Sequence, residues 1–330
     1  FEYITGGGFS REALPASLLA EGELMLRALL DDCRRMDALS LSVLLDWRCL
    51  RIADAYAVTP MPVGAVTDVN QVFQQALDAV DAVWLIAPEF SGILQGLTEQ
   101  VEAAGKRLLS SSSIAVALTA NKYRTFQHLQ ANGIASIHTA LLHDHTVYQS
   151  GCWVIKPIDG AGCTSTWRVD SAAEFAATLA KIDDLQQFII QPYIAGQAMS
   201  LSCLFYQGQG WVLCVNEQRL TLQERYFTLL ACQVNTQPIT SAQQALVTAI
   251  AQAIPGLHGY VGIDFIQMPE GTAEDAAEQW LVEINPRLTS SYAGLHRALG
   301  LNVVELVLQL GQHAPVIQPV CNQQVTVTLV

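Results

Sequence analysis

Val282-Glu283-Ile284-Asn285-Pro286-Arg287 is the stretch on which the fold reading turns. It closes a run from Leu281 that reads as a β-strand, where successive side chains take opposite faces. Glu283 and Asn285 therefore share one face, with Val282 and Ile284 on the other. Upstream, Gly262-Ile263-Asp264-Phe265-Ile266 alternates in the same way and sets Asp264 apart from Ile263 and Phe265. If the two strands pair antiparallel, Asp264, Glu283 and Asn285 converge. Two carboxylates and an amide oxygen make a hard, oxygen-rich set. That suits Mg²⁺, which keeps several waters and takes phosphate oxygens beside a few protein ligands. The plainer reading of the same spacing is a polar strand face carrying solvated acids.

A cation-bearing strand lies upstream. Cys152-Trp153-Val154-Ile155-Lys156-Pro157 reads as a strand that runs into Ile158-Asp159-Gly160-Ala161-Gly162-Cys163-Thr164-Ser165-Thr166. A lysine at such a strand end can reach a phosphate over the mouth of a cleft. The small residues Gly160, Gly162 and Thr164 let backbone N–H groups approach phosphate oxygens. The loop lacks the Gly-Lys-Ser/Thr of a P-loop, and Gly6-Gly7-Gly8 lacks the spaced glycines of a dinucleotide fingerprint.

The rest of the chain frames these strands. Residues 1–110 alternate between helical and strand patterns. Helices are expected at 16–36, Val69–Ala79 and Gly92–Ala104, and short strands at Leu41–Leu45 and Ala82–Ala87. Such alternation implies a mostly parallel sheet, with Pro88-Glu89 at a strand's C-terminal end where ligand loops gather. Two short helices fill 114–135, the second spanning Lys122–Ala131 and stopping near Asn132-Gly133. Beyond 171–181, a helix, and Phe188–Ile194, a strand, the pattern turns to strands at 200–206, 211–216 and 228–234. A helix at 241–254 precedes the strands Tyr260–Met268 and Gln279–Asn285, and helices near 290–299 and 302–311 follow. The acidic stretch 269–278 reads as a solvated hairpin loop.

The chain has 330 residues and is 51% apolar, enough for two or three packed domains and too apolar for disorder. Its net charge of −13 disfavours nucleic acid or an anionic membrane as partner, while leaving room for an anionic small ligand met by a few placed cations. No run of about 18 apolar residues is present, and the start lacks a signal-peptide pattern. The eight cysteines show no metal-type spacing and read as reduced thiols in a cytoplasmic protein, with Cys163 set apart by its glycine-flanked loop.

Taken in order, these motifs resemble the ATP-grasp superfamily over about 110–310. The resemblance implies an N-terminal parallel-sheet α/β domain at 1–112, a helical linker and central α+β lid domain at 113–192, and a C-terminal catalytic domain with a mixed or antiparallel sheet at 193–330. It implies ATP with Mg²⁺, or Mn²⁺ in its place. Lys122 and Lys156 are similar to the family's two phosphate-contacting lysines, and Asp159, Gly160, Gly162 and Thr164 to its lid loop. Gln191, Pro192, Tyr193 and Ile194 resemble the linker that reads adenine. Asp264, Glu283 and Asn285 match the metal positions. Arg287 meets the transferring phosphate or the substrate carboxylate, with Arg219 a further catalytic cation. Two departures stand out: Gln191 replaces a frequent glutamate, and Ala198 occupies the place of a ribose-binding glutamate, leaving Gln197 as the candidate.

Family members make an acyl phosphate from a carboxylate and pass it to an amine, releasing ADP. Phe1–Gly8, Asn216–Arg219 and Glu283–Tyr292 are most similar to the subgroup that joins L-glutamate to tyramine in methanofuran-type one-carbon cofactor assembly. For that subgroup, loop 5–10, Glu89 and segment 288–294 would help form the acceptor pocket. The partners implied are a small carboxylate and an amine, in a cytoplasmic enzyme for which a homodimer is compatible. The alternatives are an ATP-grasp ligase for another amino acid or small acid, or a non-catalytic nucleotide-binding homologue.

Overall fold

The computed structural model describes residues 1–160, 162, 164–268 and 279–329. Cys163 and the acidic stretch 269–278, singled out above, lie outside the described residues, as does Ala161.

The N-terminal part is built from parallel strand pairs. Phe1–Tyr3 lies beside Trp84–Ile86, the Tyr3 and Ile86 N–H groups donating across the pair at 2.8 Å each. A buried turn at Ile4–Gly8 follows. A Cβ on Gly7, at φ 98°, would lie 2.5 Å from Val63, so glycine alone fits. Next come α1 (Ala16–Cys33), β1 (Ser42–Asp46), α2 (Arg51–Tyr56), β2 (Thr59–Val63), α3 (Val69–Ala79), β3 (Ala82–Val83), α4 (Ile93–Ala103) and β4 (Arg107–Leu108). The pairs β1–β2 and β3–β4 are parallel. The Asp68 carboxylate caps α3 by accepting the Asn70 N–H. Phe73 and Leu77 of that helix are buried against Leu44, Val63 and Leu85.

Strand β2 is absent from the sequence reading because Pro60 and Pro62 argue against a strand. They are tolerated because the Thr59 N–H donates to the Leu41 carbonyl. Alternate positions then face β1, and both prolines turn their missing donors away from it.

Helices α5 (Ser113–Ala120) and α6 (Lys122–Ala131) lead into the main sheet, with the Asn121 side chain capping α6 at the Arg124 N–H, 2.9 Å away. The remaining elements are β5 (Ala140–Leu141), β6 (Trp153–Pro157), β7 (Trp167–Val169), α7 (Ala172–Leu179), β8 (Phe188–Pro192), β9 (Gln197–Tyr206), β10 (Gln209–Gln223), β11 (Tyr226–Gln237), α8 (Ser241–Ala253), β12 (Gly259–Gln267), β13 (Gln279–Asn285), α9 (Tyr292–Leu299), α10 (Val303–Gln309) and β14 (Val325–Thr328).

Among the described residues, ten strands form one sheet in the order β13-β12-β9-β10-β11-β7-β6-β8-β5, with β14 added at β11. Its pairings are antiparallel, as the C-terminal patterning implies. Strands β9, β10 and β11 outrun their expected lengths, because their polar ends continue the ladder past the apolar cores that marked them. One face of β9, β10 and β12 buries Leu201, Phe205, Val261 and Ile263 against Val247 and Ile250 of α8. The other face packs Leu204, Leu213 and Tyr260 on α1, α9 and α10. Burial of this kind stabilises by roughly 1.5–3 kcal/mol per large apolar side chain. Among the described residues no helix is long and apolar enough to cross a membrane.

Candidate active site

Antiparallel pairing of β12 and β13 sets Asp264 directly opposite Glu283, and Gly262 opposite Asn285. The Asp264 carboxylate accepts from Asn285 Nδ2 at 3.2 Å and from Gln218 Nε2 at 3.0 Å. Burial, and then the neighbouring Glu283 charge, push the Asp264 carboxyl up to about 7. Burial works against Glu283 as well, but Lys122, Lys156 and Arg287 overcome it and hold that carboxyl below its ordinary value. Two half-buried carboxylates facing each other, one of them with no cation paired to it among the described residues, fit a divalent cation. Among the described residues no three His, Cys, Asp or Glu side chains form a metal cage. A site of two carboxylates and an amide, completed by ligand oxygens and water, suits Mg²⁺.

A register shift after Asp264 places Val282 as an extra residue on β13. Val282 therefore lines the same cavity as Glu283, although strict alternation had assigned it to the opposite face, whereas Phe265 keeps its expected side and packs with Ile263 in the core.

Lys122 and Lys156 both reach this cavity. Lys122, at the start of α6, places Nζ 3.0 Å from Glu283 Oε1 and donates to the Gly160 carbonyl at 2.6 Å. Its backbone N–H donates to the Ile158 carbonyl. The ammonium thus ties the glycine loop to the carboxylate pair. Gly160, Gly162, Thr164 and Thr166 line the cavity. Asp159 does not, because its carboxylate turns to the Ser91 N–H at 2.9 Å and joins the loop to the N-terminal part.

The other end of the cavity is apolar. Ile137, Val154, Leu220, Phe227, Leu229 and Ile266 wall it, and Gln191, Pro192, Tyr193 and Ile194 run along its edge. That shape suits a planar aromatic base with backbone at its rim. The Gln191 amide is turned to the Thr139 hydroxyl at 2.8 Å, and the Tyr193 N–H to the Cys152 carbonyl. Ala198 lines the cavity, whereas Gln197, one step along β9, is exposed on the other side.

At the polar end, Arg287 Nη2 lies 2.9 Å from Glu89 Oε2, which comes from the loop after β3. Burial opposes the guanidinium charge, but Glu89, Glu21 and Glu283 hold its pKa above the ordinary value. The buried atoms Arg287 Nε and Glu89 Oε1 have no hydrogen-bond partner in the structure. Glu21 of α1 and the hydroxyls of Thr289, Ser290 and Ser291 complete this end. Thr289 and Ser291 share a buried hydroxyl cluster with Tyr260 and Ser202.

The structure places four expected features outside the cavity: Asp159, as described, and three more. Arg219 is exposed and bonds Gln233 at 2.8 Å outside the cavity, because Gln218 faces Asp264 and the next residue of β10 faces away. Loop 5–10 does not line the cavity: Thr5 is buried, with its N–H and hydroxyl bound by the Glu2 carboxylate. Gln197 points away, as described. Gln218 and Glu21 were missed. Gln218 is the neighbour of the arginine chosen in its place, and Glu21 lies among the apolar positions of an amphipathic helix with no motif to mark it.

These features define a class. An ATP-grasp domain model matches residues 119–291, just over half the chain, and a pre-ATP-grasp domain model matches 39–116. The chain belongs to the ATP-grasp family and is an ATP-dependent ligase of the carbon–nitrogen type. It is similar to the tyramine–L-glutamate ligase of Methanocaldococcus fervens, 25% identical over 303 residues covering 89% of this chain and 88% of that protein. The enzyme of that name from Methanocaldococcus jannaschii is 26% identical over 297 residues, covering 89% and 83%. A crystal structure of an ATP-grasp superfamily protein from Archaeoglobus fulgidus superposes with a TM-score of 0.73 at 22% identity, covering 99% of this chain and 90% of that one.

Proposed function

We propose that the protein joins L-glutamate to tyramine, or to a closely related amine, through a γ-glutamyl phosphate, converting ATP to ADP in methanofuran-type cofactor assembly. The observation that carries this reading is the convergence of Asp264, Glu283 and Asn285 with Lys122, Lys156 and Arg287 on one cavity that has an apolar end. The names of the two methanogen relatives support glutamate and tyramine as the substrates.

In this reading Asp264, Glu283 and Asn285 hold Mg²⁺ or Mn²⁺, which supplies charge neutralisation for the ATP phosphates. Lys122 and Lys156 add fixed positive potential beside them. Gly160, Gly162 and Thr164 present backbone over the phosphates, and Gln191–Ile194 edge the adenine. Arg287 orients the carboxylate that takes the phosphoryl group. The amine then attacks the acyl carbon and inorganic phosphate leaves. The acyl phosphate is labile in water, so the loop at 159–166 must close over it. The boundaries 1–112, 113–192 and 193–330 serve as the working domain division, and a cytoplasmic setting fits the reduced thiols.

The test is ADP release by purified protein with ATP, Mg²⁺, L-glutamate and a panel of amines that includes tyramine. Acid- and amine-dependent release by wild type, lost in Glu283→Ala, is the expected result. Undiminished release from Glu283→Ala would sink the assignment. Ala198 at the cavity wall favours a second reading, a nucleotide-binding homologue without ligase activity. Nucleotide binding with no Mg²⁺-dependent ADP release under any acid and amine would establish it.

A further inference from the structure

The charges around the cavity do not all find opposite charges. Lys122 pairs with Glu283, and Arg287 with Glu89. Glu21 also lines the cavity, yet among the described residues no cation forms an ion pair with it; its hydrogen-bond partner is the Ser290 hydroxyl. Its place is fixed from behind. A Cβ on the following residue, Gly22, would lie 2.7 Å from the Glu2 carboxylate, so α1 is seated on Glu2 with no room between them. Glu21 is also near enough to Arg287 to strengthen the hold on its proton.

Resting on the ligase reading above, we infer that Glu21, buttressed by Ser290, binds the α-ammonium of the acid substrate, so that the site selects an amino acid over a simple carboxylic acid. The pairing of roles follows from charge. Arg287 takes the reacting carboxylate and Glu21, in the same cavity, takes the ammonium further along the same molecule. The incoming amine is the poorer occupant of Glu21. It must give up a proton before it attacks, so a carboxylate meeting it would act as proton acceptor and its loss would show in the kcat with tyramine, not in the KM for the acid. Glu21 touches the non-reacting end of the acid, so it sets specificity.

The test is steady-state ADP release by the full chain, wild type and Glu21→Gln, with L-glutamate or glutarate as acid and tyramine as amine. Glutarate keeps both carboxylates and lacks only the ammonium. Wild type is expected to favour L-glutamate by about 10-fold or more in kcat/KM, as for a lost charge-assisted hydrogen bond. Glu21→Gln should raise the KM for L-glutamate by about 10-fold without raising that for glutarate or tyramine, since removing a negative charge beside Arg287 does not weaken carboxylate binding there. An unaltered glutamate KM, an equal loss on glutarate, or a change confined to tyramine overturns the inference. If wild type releases no ADP from these substrates, the glutamate–tyramine reading fails on its own. Thermal shifts with α-amino acids and their deaminated counterparts then decide the inference. A shift specific to amino acids that Glu21→Gln loses supports it, and equal shifts in the two proteins overturn it.

Discussion

Lys122 Nζ bonds the Glu283 carboxylate at 3.0 Å and the Gly160 carbonyl at 2.6 Å, so one ammonium couples the carboxylate pair of β12 and β13 to the glycine loop. Both partners lose it together in Lys122→Met. The methionine keeps most of the stem's packing, so the loss isolates the charge. A largely buried carboxylate deprived of its partner is destabilising, by about 1–3 kcal/mol here. Activity should fall roughly 10²-fold, the scale for removing a strong electrostatic stabiliser. Denaturant midpoints and ADP release check the two parts. Wild-type stability together with wild-type rate would show that the coupling is idle.

Asp264 gives a pH dependence of definite sign. Its folded-state pKa is raised to about 7 by burial and by Glu283. The folded protein therefore binds this proton more tightly than the unfolded chain. Asp264's contribution is full below the unfolded carboxylate value of about 4 and is lost as pH rises toward 7. Asp264→Asn cannot ionise, so it should gain stability relative to wild type between pH 5 and pH 8. Mg²⁺ should raise the melting temperature of wild type more at pH 8 than at pH 6, and raise that of Asp264→Asn little at either pH. Parallel stability–pH curves for the two proteins would contradict this. Glu283, held low, acts with the opposite sign: its contribution is present above the unfolded carboxylate range and fails as pH falls through its depressed value.

The strand pair that holds these acids was legible in the sequence for a simple reason: period-two alternation is local, and an antiparallel hairpin turns it directly into convergence. Lys122 and Lys156 were legible through their motifs. What escaped depends on geometry that alternation does not carry. The shift that brings Val282 into the cavity is a single inserted residue. Gln218 and Arg219 differ by one position on β10, and only the register with β9 and β11 decides which faces Asp264. Glu21 reaches the cavity because α1 packs on α9, an association between residues 260 positions apart that no local pattern encodes. Strand β2 was hidden by its prolines, which are tolerated because their missing donors face away from β1.

Gly262 offers a test of the hydroxyl segment through steric contact alone. A Cβ there would lie 2.5 Å from Thr289 Cγ2, and Thr289 shares hydrogen bonds with Tyr260 and Ser291. Gly262→Ala must therefore displace Thr289 from the cavity wall. A cost of about 1–3 kcal/mol is expected, as for overpacking a filled interior. The double variant with Thr289→Ser removes the clashing methyl and should recover much of the loss. Absence of that rescue, measured by thermal melting, would place the strain elsewhere.

Glu89 and Arg287 form the one ion pair described here that joins the loop after β3 to the end of β13, at 2.9 Å with both side chains largely buried. Removing one partner leaves the other buried and uncompensated, which typically costs about 3–5 kcal/mol. Glu89→Ala should therefore destabilise more than Glu89→Gln, whose amide oxygen still accepts from Nη2. The double variant Glu89→Leu with Arg287→Met should be less destabilised than the single variant Arg287→Met, because it strands no charge. Activity separates the roles. Glu89→Gln leaves the guanidinium in place and should keep measurable ADP release with a raised KM for the acid. Every Arg287 variant should lose turnover through kcat. A Glu89→Gln enzyme as inactive as Arg287→Met would mean that Glu89 meets the substrate itself.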